Sequence, residues 1–257
     1  VNVTVCQLND EPDALMRDWE ALVVHVQSEN SDLVLLPEMP FFSWIAREDT
    51  VDPATWQASV EAHDTWIARL DELAPACVLG SRPVTKAGRR LNEGFIWDPA
   101  GGYRAVHAKY YLPEEAGFRE ASWYERGRFD FTSAPCNRTK VGFLICTEMW
   151  FTEHARTYAK AGIHILASPR ATGMASVDKW IAGGRAAAVM SGAYCLSSNR
   201  GGIDQHGFEW AGSGWIIEPE EGDVLAFTSQ EHPFVTLDID LTIAEHAKRT
   251  YPRYVPE

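Results

Sequence analysis

No apolar run in this 257-residue sequence approaches the roughly 20 residues needed to cross a bilayer, so a membrane-spanning chain is not expected. The N-terminus, VNVTVCQLND, lacks a basic stretch followed by a long apolar one, and no secretory signal is expected. Cysteines are few and odd in number: Cys6, Cys77, Cys136, Cys146 and Cys195. They form no C-x-x-C pair and stand far apart, which excludes a disulfide framework or a zinc ribbon and points to a reducing, cytoplasmic compartment. The eight histidines show no H-E-x-x-H spacing, and no glycine-rich loop follows a strand in a phosphate-binding pattern. Neither a metal nor a cofactor is therefore expected. Positive charge is also scarce, with 23 Lys and Arg against 36 Asp and Glu and a formal net charge of −13. Phosphates would repel such a chain, so nucleic acid and anionic membranes are poor partners.

The sequence does have the material for a large core: 46% of its residues are apolar and 11% of the chain is aromatic. No repeat, low-complexity tract or long linker interrupts it, and one domain over 1–257 is the expectation. Alternation and β-branching predict a strand at 1–8, and helical spacing predicts a helix over 10–27 with Leu15, Trp19, Leu22, Val23 and Val26 on one face. The run DLVLL at 32–36 reads as a strand buried on both faces. Residues 54–73 read as helical. Strands follow at 77–82, 90–98 and 102–107, broken by Gly- and Pro-containing turns. A strand at 140–146, a helix at 152–161, a strand at 163–167, a helix at 176–191 and strands at 194–198, 214–218, 223–228 and 234–240 complete the reading. Strands alternating with helices early and late, with meandering strands between, predict an α/β fold in which two sheets pack face to face with helices outside.

Three reactive side chains stand where apolar strands run out: Glu38 after LVLLP, Lys109 after YRAVHA, and Cys146 at the end of VGFLI. Side chains at strand ends project into the crevice beside the loops, so three such ends can converge. Each alone has a bland account: a buried small hydrophobe, a solvated carboxylate, a surface lysine. No C-G-[SA]-C-[WY] context surrounds Cys146, and Gly212-Ser213-Gly214 is not G-x-S-x-G because Trp210 holds the first glycine position, so papain-like and serine-hydrolase sites are set aside.

Taken together the segments resemble the nitrilase superfamily of carbon–nitrogen hydrolases. LLPEMPFF at 35–42, HAKYYLP at 107–113, FREASWYERG at 118–127 and GFLICTEMWFTE at 142–153 occur in the family's order, and GSGWIIEPEEGDVLA at 212–226 is similar to its late strand pair. The resemblance implies a four-layer αββα sandwich, a nucleophile at Cys146, a general base at Glu38, an oxyanion-stabilising lysine at Lys109, and a second glutamate at Glu120 that orients Lys109. It also implies assembly as a homodimer or larger, with the helix near 152–161 and the C-terminal segment in the contact. The segment after the cysteine departs from the common elbow: Trp150 stands in place of arginine and Thr152 in place of proline, which turns the reading away from N-carbamoyl-D-amino acids and nitriles.

An amide is a poor electrophile, and a thiolate splits its hydrolysis into acylation and deacylation. A base near working pH would take the thiol proton, pass it to ammonia and then activate water. Lys109 and the Thr147 backbone N–H would hold the oxyanion, such donors being worth roughly 3–4 kcal/mol each. Phe42 and Trp44 after Glu38, and Trp150 after Cys146, are read as pocket walls or as core packing. Arg170 is read either as a grip on a substrate carboxylate or as part of an internal salt bridge. The expected partner is a small-molecule primary amide, with N-carbamoyl hydrolysis or a catalytically silent interaction protein as the alternatives.

Overall fold

The computed structural model describes residues 1–256. Strand β1 (Asn2–Asn9) leads into helix α1 (Pro12–Ser28), then β2 (Leu33–Glu38) and α2 (Pro53–Ile67). Both helices start where the sequence supplies a carboxylate cap and a proline at the first turn. The Glu11 side chain accepts from the Asp13 and Ala14 N–H groups, and that of Asp52 from Ala54 and Thr55, satisfying donors the helix itself leaves open. Strands β3 (Cys77–Lys86), β4 (Arg89–Asp98) and β5 (Gly102–Ala108) form an antiparallel meander. A two-residue hairpin, β6 (Glu114–Glu115) and β7 (Phe118–Arg119), precedes the single-turn helix α3 (Glu120–Trp123). Then come β8 (Ala134–Cys136), β9 (Thr139–Phe143), α4 (Glu153–Ala161), β10 (Ile165–Arg170), α5 (Val177–Ser191) and β11 (Tyr194–Gly201). The chain closes with β12 (Trp215–Ile217), β13 (Val224–Phe227), β14 (Phe234–Asp238) and α6 (Leu241–Ala247).

The strands make two mixed sheets. One runs β14-β1-β2-β3-β4-β5 and the other β13-β12-β11-β10-β9-β8. They join at one corner, where Gln7, Leu8 and Asn9 pair with Asn199, Arg200 and Gly201. Period-two alternation sorts the first sheet between two layers of core. Val3, Val5, Leu33, Leu35 and Leu79 face inward with Phe143, Ile145 and Leu166. Cys6, Leu8, Val34, Leu36 and Val78 face outward onto Leu15, Trp19, Leu22 and Val26 of α1. On the far side, α4 and α5 cover the second sheet. Gly142 of β9 leaves room for the Tyr158 ring, which would lie 2.8 Å from an added Cβ, and the Tyr158 hydroxyl donates to the Phe143 carbonyl at 2.9 Å. This is the expected αββα layering.

The structure differs from the sequence reading in places that have local causes. The helix expected over 54–73 ends at Ile67, and Leu70–Leu73 form a separate 3-10 turn. Three residues per turn put Leu70 and Leu73 on one side, and both are buried against the α1 cluster. The strand expected over 140–146 ends at Phe143, so Cys146 opens a 3-10 turn, Cys146–Trp150, outside the sheet. Strand β8, the β6–β7 hairpin and α6 are too short to show periodicity. Among the described residues no helix is long and apolar enough to cross a membrane.

Candidate active site

The strand ends converge as the spacing suggested. Glu38 closes β2, Lys109 follows β5, Glu120 starts α3 and Cys146 follows β9; all four side chains are buried. The Lys109 ammonium donates to Glu38 Oε1 at 2.7 Å and to Glu120 Oε2 at 2.6 Å. Glu38 Oε1 also accepts from Asn92 Nδ2 at 2.8 Å. Its other oxygen, Oε2, is buried and has no hydrogen-bond partner among the described residues. One carboxylate oxygen is thus fixed by two donors while its twin is free to take a proton.

Electrostatics follow from one cation between two buried acids. Burial alone would lower the Lys109 pKa, but Glu120 and then Glu38 outweigh it and hold the ammonium well above its ordinary range. Burial raises Glu120 to about 7; Lys109 opposes the shift and Glu38 adds to it. The Cys146 thiol is pushed up by burial first and by Glu38 next, with Lys109 and a backbone hydrogen bond at Ala171 pulling down. The thiol therefore rests protonated, and the lysine does not by itself make a thiolate.

The backbone at Cys146 is strained. Cys146 has φ 49° and Met39, next to Glu38, has φ 44°, a left-handed conformation that L-residues hold only when the surroundings impose it. Two buried anchors impose it here. The Glu148 carboxylate accepts from the Ile145 N–H at 2.8 Å, the Tyr110 N–H at 2.7 Å and His107 Nε2 at 2.8 Å. It therefore ties the cysteine turn to the lysine loop. Burial opposes charging of His107, but Glu148 more than compensates and raises its pKa above 6.5. On the other side the Arg200 guanidinium, paired with Asp10 at 3.1 Å, donates to the carbonyls of Glu38, Met39 and Phe42. Sequence reasoning missed Asn92, Glu148 and Arg200. Asn92 and Arg200 are fully buried polar residues within strands, and a polar residue at a buried strand position is the signal that marks them.

In front of Cys146 opens a cavity of about 620 Å³, lined by Glu120, Thr147, Trp150, Trp180, Phe118 and Phe208 among others. Thr147 and Trp150 both line it, with Trp150 packed on Trp180 at 5.0 Å between ring centroids. Phe42 and Trp44 do not line this cavity. They border a separate one of about 470 Å³, and the Trp44 ring packs on Trp210 and Phe118. Arg170 forms no ion pair among the described residues and does not reach the cavity. It is fully buried, lies 3.9 Å from the Trp215 ring, and donates to Ser197 Oγ, Thr172 Oγ1 and the Ser213 carbonyl. Burial lowers its pKa to about 9. No group of His, Cys, Asp and Glu among the described residues has the arrangement of a metal site.

Comparison with known proteins gives the family. The sequence profile of the carbon–nitrogen hydrolase family matches residues 2–249. A hydrolase of Schizosaccharomyces pombe is 30% identical over 68% of this chain, an alignment that takes in 56% of that protein's own length. An omega-amidase of Homo sapiens is 27% identical over 72% of this chain and 70% of its own. Among solved structures, a carbon–nitrogen hydrolase of Helicobacter pylori superposes with a TM-score of 0.88 at 22% identity, covering 99% of this chain and 94% of that one.

Proposed function

The chain belongs to the carbon–nitrogen hydrolase family, and we propose that it hydrolyses a small primary amide to the carboxylic acid and ammonia through a thioester on Cys146. The observation that carries this reading is the buried Glu38–Lys109–Glu120 chain beside a strained cysteine that opens onto a cavity. In the first half-reaction Glu38 Oε2 takes the thiol proton while sulfur attacks the amide carbon. The carbonyl oxygen becomes an oxyanion facing the Lys109 ammonium and the Thr147 N–H, which sits in the first turn after the strand where backbone donors are unsatisfied. Collapse breaks the C–N bond as Glu38 returns the proton to nitrogen and ammonia leaves. In the second half, Glu38 removes a proton from water, hydroxide attacks the thioester, and the thiol leaves with that proton.

Glu120 holds Lys109 against Glu38 and keeps the ammonium charged. Asn92 fixes the Glu38 carboxylate plane, so that Oε2 and not Oε1 meets the thiol. A homodimer belongs to this proposal. The exposed rings of Tyr251 and Tyr254, together with α4, offer the surface, and sedimentation that finds only monomers removes this part. The catalytic reading is tested by ammonia release from a panel of short aliphatic and aromatic amides, ureido compounds and nitriles, comparing wild type with Cys146→Ala. Release from an amide that disappears in the variant is expected. Release that persists refutes the nucleophile, and preference for a ureido compound with carbon dioxide release replaces the amide reading.

A further inference from the structure

We propose that the Thr172 hydroxyl is a fixed hydrogen-bond donor to the substrate, and that the cavity in front of Cys146 therefore selects an amide whose acyl group carries a carbonyl or carboxylate oxygen. This rests on the amide-hydrolase reading and names the substrate class of the same site. Thr172 lines the cavity and is 5% exposed. Its Oγ1 accepts from Arg170 Nη1 at 2.8 Å and from Asn199 Nδ2 at 3.0 Å. A guanidinium can only donate. The orientation of the Asn199 amide is fixed as well. Its Oδ1 accepts from the Thr172 N–H at 3.0 Å, while Nδ2 also donates to the Thr172 carbonyl at 3.2 Å. A backbone N–H only donates and a carbonyl only accepts, so this amide cannot be turned over. Both lone pairs of the hydroxyl are thus taken, and what it has left to offer is its proton. Among the described residues that proton has no acceptor, and Thr172 meets open space on its cavity side.

Arg170 strengthens the donor. It and Asn199 are fully buried, and the guanidinium bonds only to neutral oxygens among the described residues. Its charge therefore polarises the Thr172 O–H bond, an effect that a low-dielectric interior enlarges. The position of the hydroxyl is held from the other side too. The Ala211 N–H donates to the Thr172 carbonyl at 2.9 Å. Gly173 lies so close to Phe208 that an added Cβ would meet the ring at 2.4 Å. Much of the cavity wall is apolar, with Trp150, Trp180, Met174 and Phe208, and a single fixed polar group on such a wall sets orientation and choice. A hydrocarbon chain that displaces solvent would strand the buried donor. An ammonium would set donor against donor with the Arg170 charge behind it. An acceptor oxygen satisfies the hydroxyl, and sites built to hydrogen-bond a substrate group discriminate against analogues that lack it.

The test uses primary amides of equal chain length: a hydrocarbon, a series with one carbonyl moved along the chain, a carboxylate and an ammonium. Turnover is measured with wild type and binding with Cys146→Ala. Wild type should favour an oxygen-bearing amide over the hydrocarbon by at least tenfold in kcat/KM, the scale of one buried hydrogen bond, and should rank the ammonium amide last. Thr172→Val should bring the ratio of oxygen-bearing to hydrocarbon amide to about one. Thr172→Ser keeps the hydroxyl and should keep the ratio. A uniform fall in Thr172→Val that leaves the ratio intact would assign Thr172 to packing alone and overturns the proposal. Equal rates for hydrocarbon and oxygen-bearing amides with wild type overturn it too, without recourse to any variant. Selective binding of an oxygen-bearing amide to Cys146→Ala, with no turnover of any amide by wild type, would instead count against the hydrolase reading and leave the donor standing.

Discussion

Replacing Glu148 by Gln should unfold the protein more easily and disable it, although Glu148 is absent from every step of the chemistry. Its carboxylate holds two backbone N–H groups, of Ile145 and Tyr110, and the His107 ring. An amide of the same size turns an –NH2 toward at least one of those donors and leaves a buried imidazolium without its counter-ion. Removing one member of a buried ion pair costs about 3–5 kcal/mol, and each orphaned buried donor about 1–3 kcal/mol. The two figures overlap, so a loss of about 3–5 kcal/mol is expected against a total stability of order 5–15 kcal/mol. Urea unfolding at pH 6 reads it as a lower midpoint with an unchanged slope. Because Ile145 and Tyr110 flank the nucleophile and the lysine, kcat/KM should fall about 100-fold, as small misplacements of reacting groups do. The pH dependence carries a sign. His107 has its folded pKa raised above 6.5, so its contribution is complete below about 6.5 and is lost as pH rises through the folded value. The gap between wild type and Glu148→Gln should therefore narrow on the alkaline side, and His107→Gln should remove that narrowing. A loss below about 1 kcal/mol with unchanged kcat/KM would show that the turn holds its strained geometry without Glu148.

Three further outcomes follow from the site. Lys109→Met leaves Glu38 and Glu120 facing each other without their cation and removes an oxyanion donor; kcat/KM should drop about 1,000-fold, and steady-state ammonia release checks it. Glu120 has its pKa raised to about 7, and its carboxylate form is the one that holds Lys109. The pH–rate profile should therefore rise through pH 7 from the acid side, and Glu120→Gln should lower the plateau and erase that limb. Gly127→Ala would place a Cβ 2.1 Å from the Ala108 carbonyl oxygen, one residue before Lys109. It should cost about 1–3 kcal/mol in thermal unfolding and lower kcat together with stability.

What the sequence exposed and what it hid divide along physical lines. The long helices α1 and α5 were legible because burial on one face imposes a period, and β1 because its residues are β-branched and its apolar ones pack into core on both faces. Glu38, Lys109 and Cys146 were legible because each follows a strand-like run and because the segments around them, in order, resemble those of the nitrilase superfamily. The supports were not. Glu148 is two residues beyond the nucleophile in a turn without periodicity, and only the fold shows it reaching back to Tyr110. Arg200 bonds carbonyls more than 150 residues away in sequence, and no local pattern encodes that. Arg170, in the segment after a strand, was open to two readings, a substrate grip or an internal salt bridge; the interior of the second sheet claims its guanidinium through hydrogen bonds instead. Phe42 and Trp44 follow Glu38 in sequence, but the left-handed turn at Met39 carries the chain into the neighbouring aromatic cluster. The protonated resting state of Cys146 was also illegible, because it depends on how completely the strands bury the thiol.

The central claim is a covalent thioester on Cys146, and trapping it tests that claim most directly. Wild-type protein would be mixed with its best amide, quenched in acid within the first turnovers, digested and weighed by mass spectrometry. The account predicts that the peptide containing Cys146 gains the mass of the acyl group, that hydroxylamine removes it, and that Cys146→Ala shows none. Turnover with no acyl group on Cys146, or an acyl group on another residue, would contradict it.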